Sequence, residues 1–151
     1  MECTVSWTGN SGTRSGMGFI AETGSGHVVA MDGAPDERNP ANGGQNLAAR
    51  PMELLLIGLG GCASFDVVTI LKKARQQVTD VRTELKAERA DTIPAVFTTI
   101  HLHFVVTGKD LKESQVKKAV ELSAEKYCSA SAMLAAGGVK ITHDFEIVQE
   151  A

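Results

Sequence analysis

The stretch MELLLIGLGGCASFDVVTIL, residues 52–71, decides the fold of this chain. It contains thirteen apolar residues and three glycines, and its polar residues are Glu53, Ser64, Asp66 and Thr69. Twenty such residues are long enough to cross a bilayer, but the two acidic residues and the paired glycines argue against a membrane span. A helix that is apolar on every side belongs in a protein core. We therefore predict a buried central helix and no membrane partner.

The residues around this stretch are typical of helix ends. Pro51 suits the first helical position, Glu53 suits the first turn, and Lys72 and Lys73 suit the last turn. A chain of 151 residues has few other elements with which to enclose such a helix. We therefore expect two copies to pack these helices together in a homodimer.

Alternating apolar residues predict strands on both sides of the helix. Strands are predicted at residues 2–8, 17–22, 27–31, 78–91, 95–107 and 139–147. The first three suggest an antiparallel meander, and residues 33–50 an exposed loop. Asp110 and Glu113 resemble a capping box that opens an amphipathic helix. That helix carries one apolar stripe, Val116, Ala119, Val120, Ser123 and Tyr127, and ends near Cys128. These patterns predict an α+β fold in a single domain, residues 1–151.

The charge balance excludes several classes of partner. Lys and Arg total 15 against 18 Asp and Glu, a net charge of -3, so no basic surface invites nucleic acid or anionic lipid. The first residues carry neither a basic nor an apolar leader pattern, so we expect a cytoplasmic protein with reduced thiols.

Three cysteines, Cys3, Cys62 and Cys128, have neither a disulfide-framework nor a zinc-site spacing. Inert packing is the ordinary role of a cysteine such as Cys62 in an apolar helix. Three glycines just before it, however, allow a second helix or a substrate to approach the sulfur. A reactive cysteine must be a thiolate, which needs nearby positive charge.

Cys62 lies about 16 Å along its helix, too far for the helix dipole to supply that charge. A guanidinium must then do so, and Arg14, Arg38 and Arg50 are the candidates. Cys128, at the carbonyl end of its helix, is expected to be the poorer nucleophile and suits a resolving role.

His101 and His103 point to one side of a strand but lack further ligands at matching spacing, so a solvent-facing pair is favoured. We predict neither a metal nor a cofactor. A hydrolase that pairs Cys62 with a histidine is a further alternative.

Several motifs resemble the OsmC/Ohr family. They are PMELLL at residues 51–56, GGC at 60–62, DVVTIL at 66–71, IHLHF at 100–104, SAEKYCS at 123–129 and ITH at 141–143. The likeness covers nearly the whole chain and is greatest to the YhfA-like branch. It implies an intertwined dimer with antiparallel sheets around long central helices.

The resemblance also implies a thiol peroxidase that reduces organic hydroperoxides. Cys62 would be the peroxidatic cysteine and Cys128 the resolving cysteine, at a site on the dimer interface, with a dithiol or lipoyl-type reductant for recycling. The alternative is a non-catalytic OsmC-like protein that binds an apolar ligand in the interface pocket.

Family members also use an Arg and Glu pair beside the peroxidatic cysteine. Glu53 is the nearest match to the Glu, but it stands one place from the family's position, which Met52 occupies, and one place on a helix is a rotation of about 100°. Glu53 is therefore either catalytic or a first-turn stabiliser. Arg50 stands where relatives commonly have a small capping residue, and it is a candidate for the cation near Cys62.

Overall fold

The computed structural model describes residues 1–9 and 16–151. The chain divides into two compact units, Met1–Leu55 and Leu56–Ala151. Arg14, one of the three candidate cations, lies outside the described residues.

The first unit contains the predicted meander. Strands β1 (Cys3–Trp7), β2 (Phe19–Thr23) and β3 (Val28–Met31) form an antiparallel sheet in the order β1-β2-β3. The turn between β2 and β3 closes where the N–H of Gly26 donates to the Thr23 carbonyl oxygen at 2.9 Å. Gly26 has a φ of +83°, a conformation that glycine adopts without steric cost. The antiparallel meander is thus confirmed.

A buried carboxylate, Asp32, organises the loop that follows β3. Its oxygens accept hydrogen bonds from the backbone N–H groups of Gly33 (2.7 Å), Gln45 (3.1 Å) and Leu47 (2.9 Å). The bond from Leu47 is the main reason that the pKa of Asp32 lies below its usual value of 3.8; burial opposes this shift, and the other two bonds add to it. One ionised side chain therefore binds both the beginning and the last part of the long loop.

Replacing Asp32 with alanine is expected to destabilise the first unit by about 2–4 kcal/mol, because several backbone donors lose a charged acceptor. Urea unfolding followed by fluorescence of Trp7, the single tryptophan, would measure the loss. Asp36→Ala is the matched control: this exposed residue also accepts two backbone N–H bonds, from Arg38 and Asn39, where water can replace it.

The same comparison has a defined pH dependence. A carboxyl with a lowered folded-state pKa stabilises fully above its unfolded pKa and loses that contribution as the pH falls through the folded value. The wild-type protein and Asp32→Ala should therefore converge in stability as the pH drops below 3.8. Equal stability at neutral pH would contradict the anchoring role.

Helix α1 (Pro51–Lys73) begins in the first unit and continues into the second, which confirms the predicted long helix. The remaining elements are β4 (Gln77–Arg89), β5 (Phe97–Lys109), α2 (Glu113–Leu122), a π-helical turn (Ser123–Tyr127), α3 (Ser129–Ala136) and β6 (Lys140–Gln149). The second sheet has the strand order β4-β5-β6. The α+β fold class is confirmed.

Two details of the prediction need correction. The second sheet is not wholly antiparallel: β4 and β5 are antiparallel, but β6 pairs with β5 in parallel, because the helical segment between them carries the chain back to the same end of the sheet. The predicted capping box at Asp110 and Glu113 is also wrong. Helix α2 starts after Lys112 without a side-chain cap, and Asp110 has a φ of +49°.

The core of the second unit forms around β5. Ile100, Leu102, Phe104 and Val106 alternate along this strand and are fully buried, as the periodicity predicted. Leu59, Ala63, Val67 and Leu71 of α1 are also fully buried. Gly60 allows α1 to come close to β4, because a Cβ at this position would lie 2.8 Å from Cδ1 of Leu85.

The opposite side of α1 is open in the single chain. Ile57 is 61% exposed and Phe65 is 73% exposed, and a Cβ added at Gly58 or Gly61 would meet nothing within 4 Å. Among the described residues α1 is the one helix long and apolar enough to span a membrane. Of its most apolar 18-residue segment, 28% is buried. In the single chain, therefore, only one face of α1 is buried, although the sequence predicted that the whole helix would be.

Candidate thiol site

The second unit holds Cys62 on α1. The residue is half-buried and follows the two glycines of the GGC motif. The carbonyl oxygen of Ala63, the next residue, accepts a 2.8 Å hydrogen bond from the hydroxyl of Ser123. This bond ties α1 to the segment that precedes Cys128.

Cys128 is 2% exposed and joins the π-helical turn to α3. Its N–H donates to the Ser123 carbonyl oxygen at 3.0 Å, and its sulfur accepts from the N–H of Ser131 at 3.4 Å. The sequence placed Cys128 at the end of a helix, where backbone carbonyls disfavour a thiolate. The structure shows that it is also the N-cap of α3, where the helix dipole favours negative charge. The dipole argument from sequence was therefore incomplete.

The Cys62 thiol lies close enough to the Cys128 thiol to affect the ionisation of Cys128. Burial is the main cause that raises the pKa of the Cys128 thiol above its ordinary value. Ser131 lowers that pKa through its side chain and its N–H, whereas Cys62 raises it further through a side-chain hydrogen bond and through Coulombic repulsion. The structure thus brings together two cysteines that are far apart in the chain, and it keeps Cys128 a protonated thiol at neutral pH.

Two further polar groups lie buried beside the cysteines. Apart from the Cys128 thiol, the hydroxyl of Ser131 has no hydrogen-bond partner among the described residues. One carboxylate oxygen of Asp66 is likewise buried without a partner there. Asp66 lies one helical turn after Cys62, and therefore on the same side of α1. Buried polar groups without partners are uncommon in folded proteins, and they mark this region as a candidate site.

A cavity of about 280 Å³ borders the same region. Its walls include Cys128, Ser131 and Ala132, together with His143 from β6 and Lys126 from the π-helical turn. A small molecule at this position would meet both apolar and ionisable side chains.

The predicted Arg and Glu pair belongs to the first unit, and the two residues contact each other at the start of α1. The Arg50 backbone N–H donates to Oε2 of Glu53 at 2.8 Å, and its guanidinium donates to Oδ1 of Asn46 at 3.3 Å. Glu53 therefore performs the N3 half of a capping box, which agrees with the first-turn stabiliser interpretation. Arg38, the other described candidate cation, is exposed, and its N–H donates to Asp36.

The two histidines of β5 point to solvent, as predicted. His101 shares a 2.8 Å hydrogen bond with Thr142, and His103 contacts Asp144 at 2.5 Å. The bond from His103 is the main reason that the pKa of Asp144 lies below its usual value. No group of three or more His, Cys, Asp or Glu side chains within residues 1–9 and 16–151 is arranged to hold a metal ion.

Sequence reasoning did not identify Ser123 as a residue of the site. The available signal was its place in the apolar stripe of the helix predicted from the sequence, because a hydroxyl at a buried position needs a partner. No residue pattern predicted the π-helical turn that begins there.

Comparison with known proteins agrees with this fold. The family model described as OsmC-like protein matches residues 43–144. Protein YhfA of Escherichia coli (strain K12) is 44% identical over 148 residues, 98% of each chain. A hypothetical protein from Aquifex aeolicus has a solved structure with a TM-score of 0.72 and 30% identity, covering 99% of each chain.

A more distant structural relative is described as an organic hydroperoxide resistance protein OsmC, predicted redox protein, from Legionella pneumophila. It has a TM-score of 0.64 and 20% identity, with 97% of each chain covered. The present chain belongs to the OsmC-like protein family.

Proposed function

We propose that this protein is a thiol peroxidase that reduces organic hydroperoxides, with Cys62 as the peroxidatic and Cys128 as the resolving cysteine. The observation that carries the proposal is the interaction between the two thiols, which contributes to the raised pKa of Cys128. Membership of a family with organic hydroperoxide resistance proteins among its structural relatives supports the same chemistry.

The proposed reaction has two steps. The Cys62 thiolate attacks an oxygen of the hydroperoxide, the O–O bond breaks, and the alkoxide takes up a proton and leaves as the alcohol, so that Cys62 becomes a sulfenic acid. The Cys128 sulfur then attacks the Cys62 sulfur, the S–O bond breaks, and the hydroxyl leaves as water with the Cys128 proton. A dithiol, for example of the lipoyl type, reduces the disulfide by thiol exchange and is itself oxidised.

The attacking thiolate needs a cation, and the proposal assigns this role to one of Arg14, Arg38 and Arg50. The hydrogen bond that the Arg50 backbone N–H donates to the Glu53 carboxylate supports a structural role for this glutamate, holding the start of α1 in place. The apolar side chains of α1 suit a hydroperoxide with an apolar tail.

The proposed assembly is a cytoplasmic homodimer in which each chain is one OsmC-like domain. The exposed Ile57 and Phe65, with the open positions at Gly58 and Gly61, form an apolar face on α1 that a second copy would cover. The single-domain assignment is supported by the family match, which runs across the boundary between the two units.

Free-thiol counting after treatment of the reduced protein with cumene hydroperoxide would test the proposed function. We expect Cys62 and Cys128 to disappear together as a disulfide, detected by alkylation and mass spectrometry. Thiols that persist in peroxide, together with an apolar ligand retained in native mass spectrometry, would instead support a non-catalytic binding protein.

A further inference from the structure

Ser123 is fully buried where the π-helical turn begins. Its hydroxyl donates a 2.8 Å hydrogen bond to the carbonyl oxygen of Ala63, the residue directly after Cys62 in the chain. In an α-helix such a carbonyl also accepts from the N–H four residues on. A carbonyl oxygen has two lone pairs, so the bond from Ser123 adds to the helix without breaking it.

The backbone of Ser123 contacts the second cysteine. Its carbonyl oxygen accepts from the Cys128 N–H at 3.0 Å, across five residues. Such a bond defines a π-helical turn, a rare conformation that is frequent at functional sites. Ser123 therefore holds both cysteine segments, α1 through its side chain and Cys128 through its main chain.

The π-helical turn also decides which residue faces inward. In a continuous α-helix Tyr127, four residues after Ser123, would share its buried face, as the sequence predicted. Tyr127 is instead 51% exposed, and Cys128 is buried. The extra residue in the turn thus orients Cys128, and not Tyr127, towards the interior.

We propose that Ser123 is a positioning residue that holds Cys62 and Cys128 in register for disulfide formation. Its part in peroxide reduction rests on the proposed function, where Cys128 attacks the Cys62 sulfenic acid and water leaves. Without the hydroxyl, the two segments lose the side-chain bond that joins them. Disulfide formation then slows, while the preceding attack of Cys62 on peroxide does not depend on this bond.

Ser64 provides a matched control. Its hydroxyl also joins α1 to another element, through a 2.7 Å hydrogen bond to Oγ1 of Thr83 in β4. Ser64→Ala therefore removes one hydroxyl and one hydrogen bond near Cys62, but leaves the bond from Ser123 to α1 in place.

The test compares Ser123→Ala with Ser64→Ala, each in a Cys3→Ser background so that only the two site cysteines remain. Diamide, which takes two electrons and two protons from a pair of thiols, drives disulfide formation without peroxide. We expect Ser123→Ala to slow this step about tenfold, on the scale of one lost hydrogen bond, and Ser64→Ala to change it by less than about twofold. In a second arm with cumene hydroperoxide, dimedone should trap more Cys62 sulfenic acid in Ser123→Ala than in the control.

An unchanged diamide rate in Ser123→Ala would overturn the inference, and so would equal slowing in both serine variants. If Ser123→Ala does not fold, Ser123→Thr and Ser123→Val give the same comparison, because they match in shape and differ only in the hydroxyl. A wild-type protein that forms the disulfide with diamide but ignores peroxide would refute the peroxidase proposal and leave the positioning role supported.

Discussion

Replacing Cys62 with serine is expected to reduce the rate of hydroperoxide consumption by about a thousandfold or more, as in other enzymes that lose their nucleophile. A serine hydroxyl is not ionised at neutral pH, and it cannot be oxidised by the peroxide. The measurement is peroxide loss in the presence of a dithiol reductant, under conditions where the wild-type protein turns over many times.

Two other cysteine variants make this result specific. Without added reductant, Cys128→Ser should consume one equivalent of peroxide and leave a sulfenic acid on Cys62 that dimedone traps, because no resolving thiol is present, whereas the wild-type protein forms the disulfide. Cys3→Ser, at an exposed residue of the first unit, should keep the wild-type rate. Equal rates in the Cys62→Ser and wild-type proteins would exclude the proposed mechanism.

Replacing Phe65 with aspartate is expected to convert a dimer into monomers. Covering one phenylalanine contributes about 1.5–3 kcal/mol, and burying an unpaired charge in its place costs several kcal/mol more. We therefore expect the dimer affinity to fall by at least about a hundredfold. Analytical ultracentrifugation would follow the change from twice the chain mass to the chain mass of 16.0 kDa.

Lys73→Asp is the control for charge on the same helix. Lys73 is exposed in the last turn of α1, so this change alters the charge of the helix but not the apolar face around Phe65. It should leave the dimer intact. A wild-type protein that sediments at 16.0 kDa at micromolar concentration would contradict the homodimer proposal.

Much of the fold could be predicted because local patterns decide it. The alternation of Ile100, Leu102 and Phe104 identified the central strand, and the apolar residues 52–71 identified α1. The direction of β6 could not be read in this way. A strand has the same alternation whichever way it runs, and its direction depends on where the helical segment before it ends.

The candidate site was only partly predictable, for a similar reason. Sequence motifs identified Cys62 and Cys128, but not the packing that buries Cys128 or the π-helical turn that aims it. The sequence pattern does not reveal that turn, because inserting one extra residue into a helix requires no particular residue type. Ser123, a polar residue in an apolar stripe, indicated that a buried hydroxyl needs a partner here, but not that the partner is the carbonyl oxygen of Ala63.

The sulfur that caps α3 gives that helix a direct connection to the oxidation state of the protein. The first turn of α3 depends on Cys128 as an electron-rich acceptor for the Ser131 N–H. A sulfur engaged in a disulfide accepts hydrogen bonds less well than a thiol does. Oxidation would thereby loosen the start of α3, and amide exchange at Ser131 would report it from outside the reacting pair.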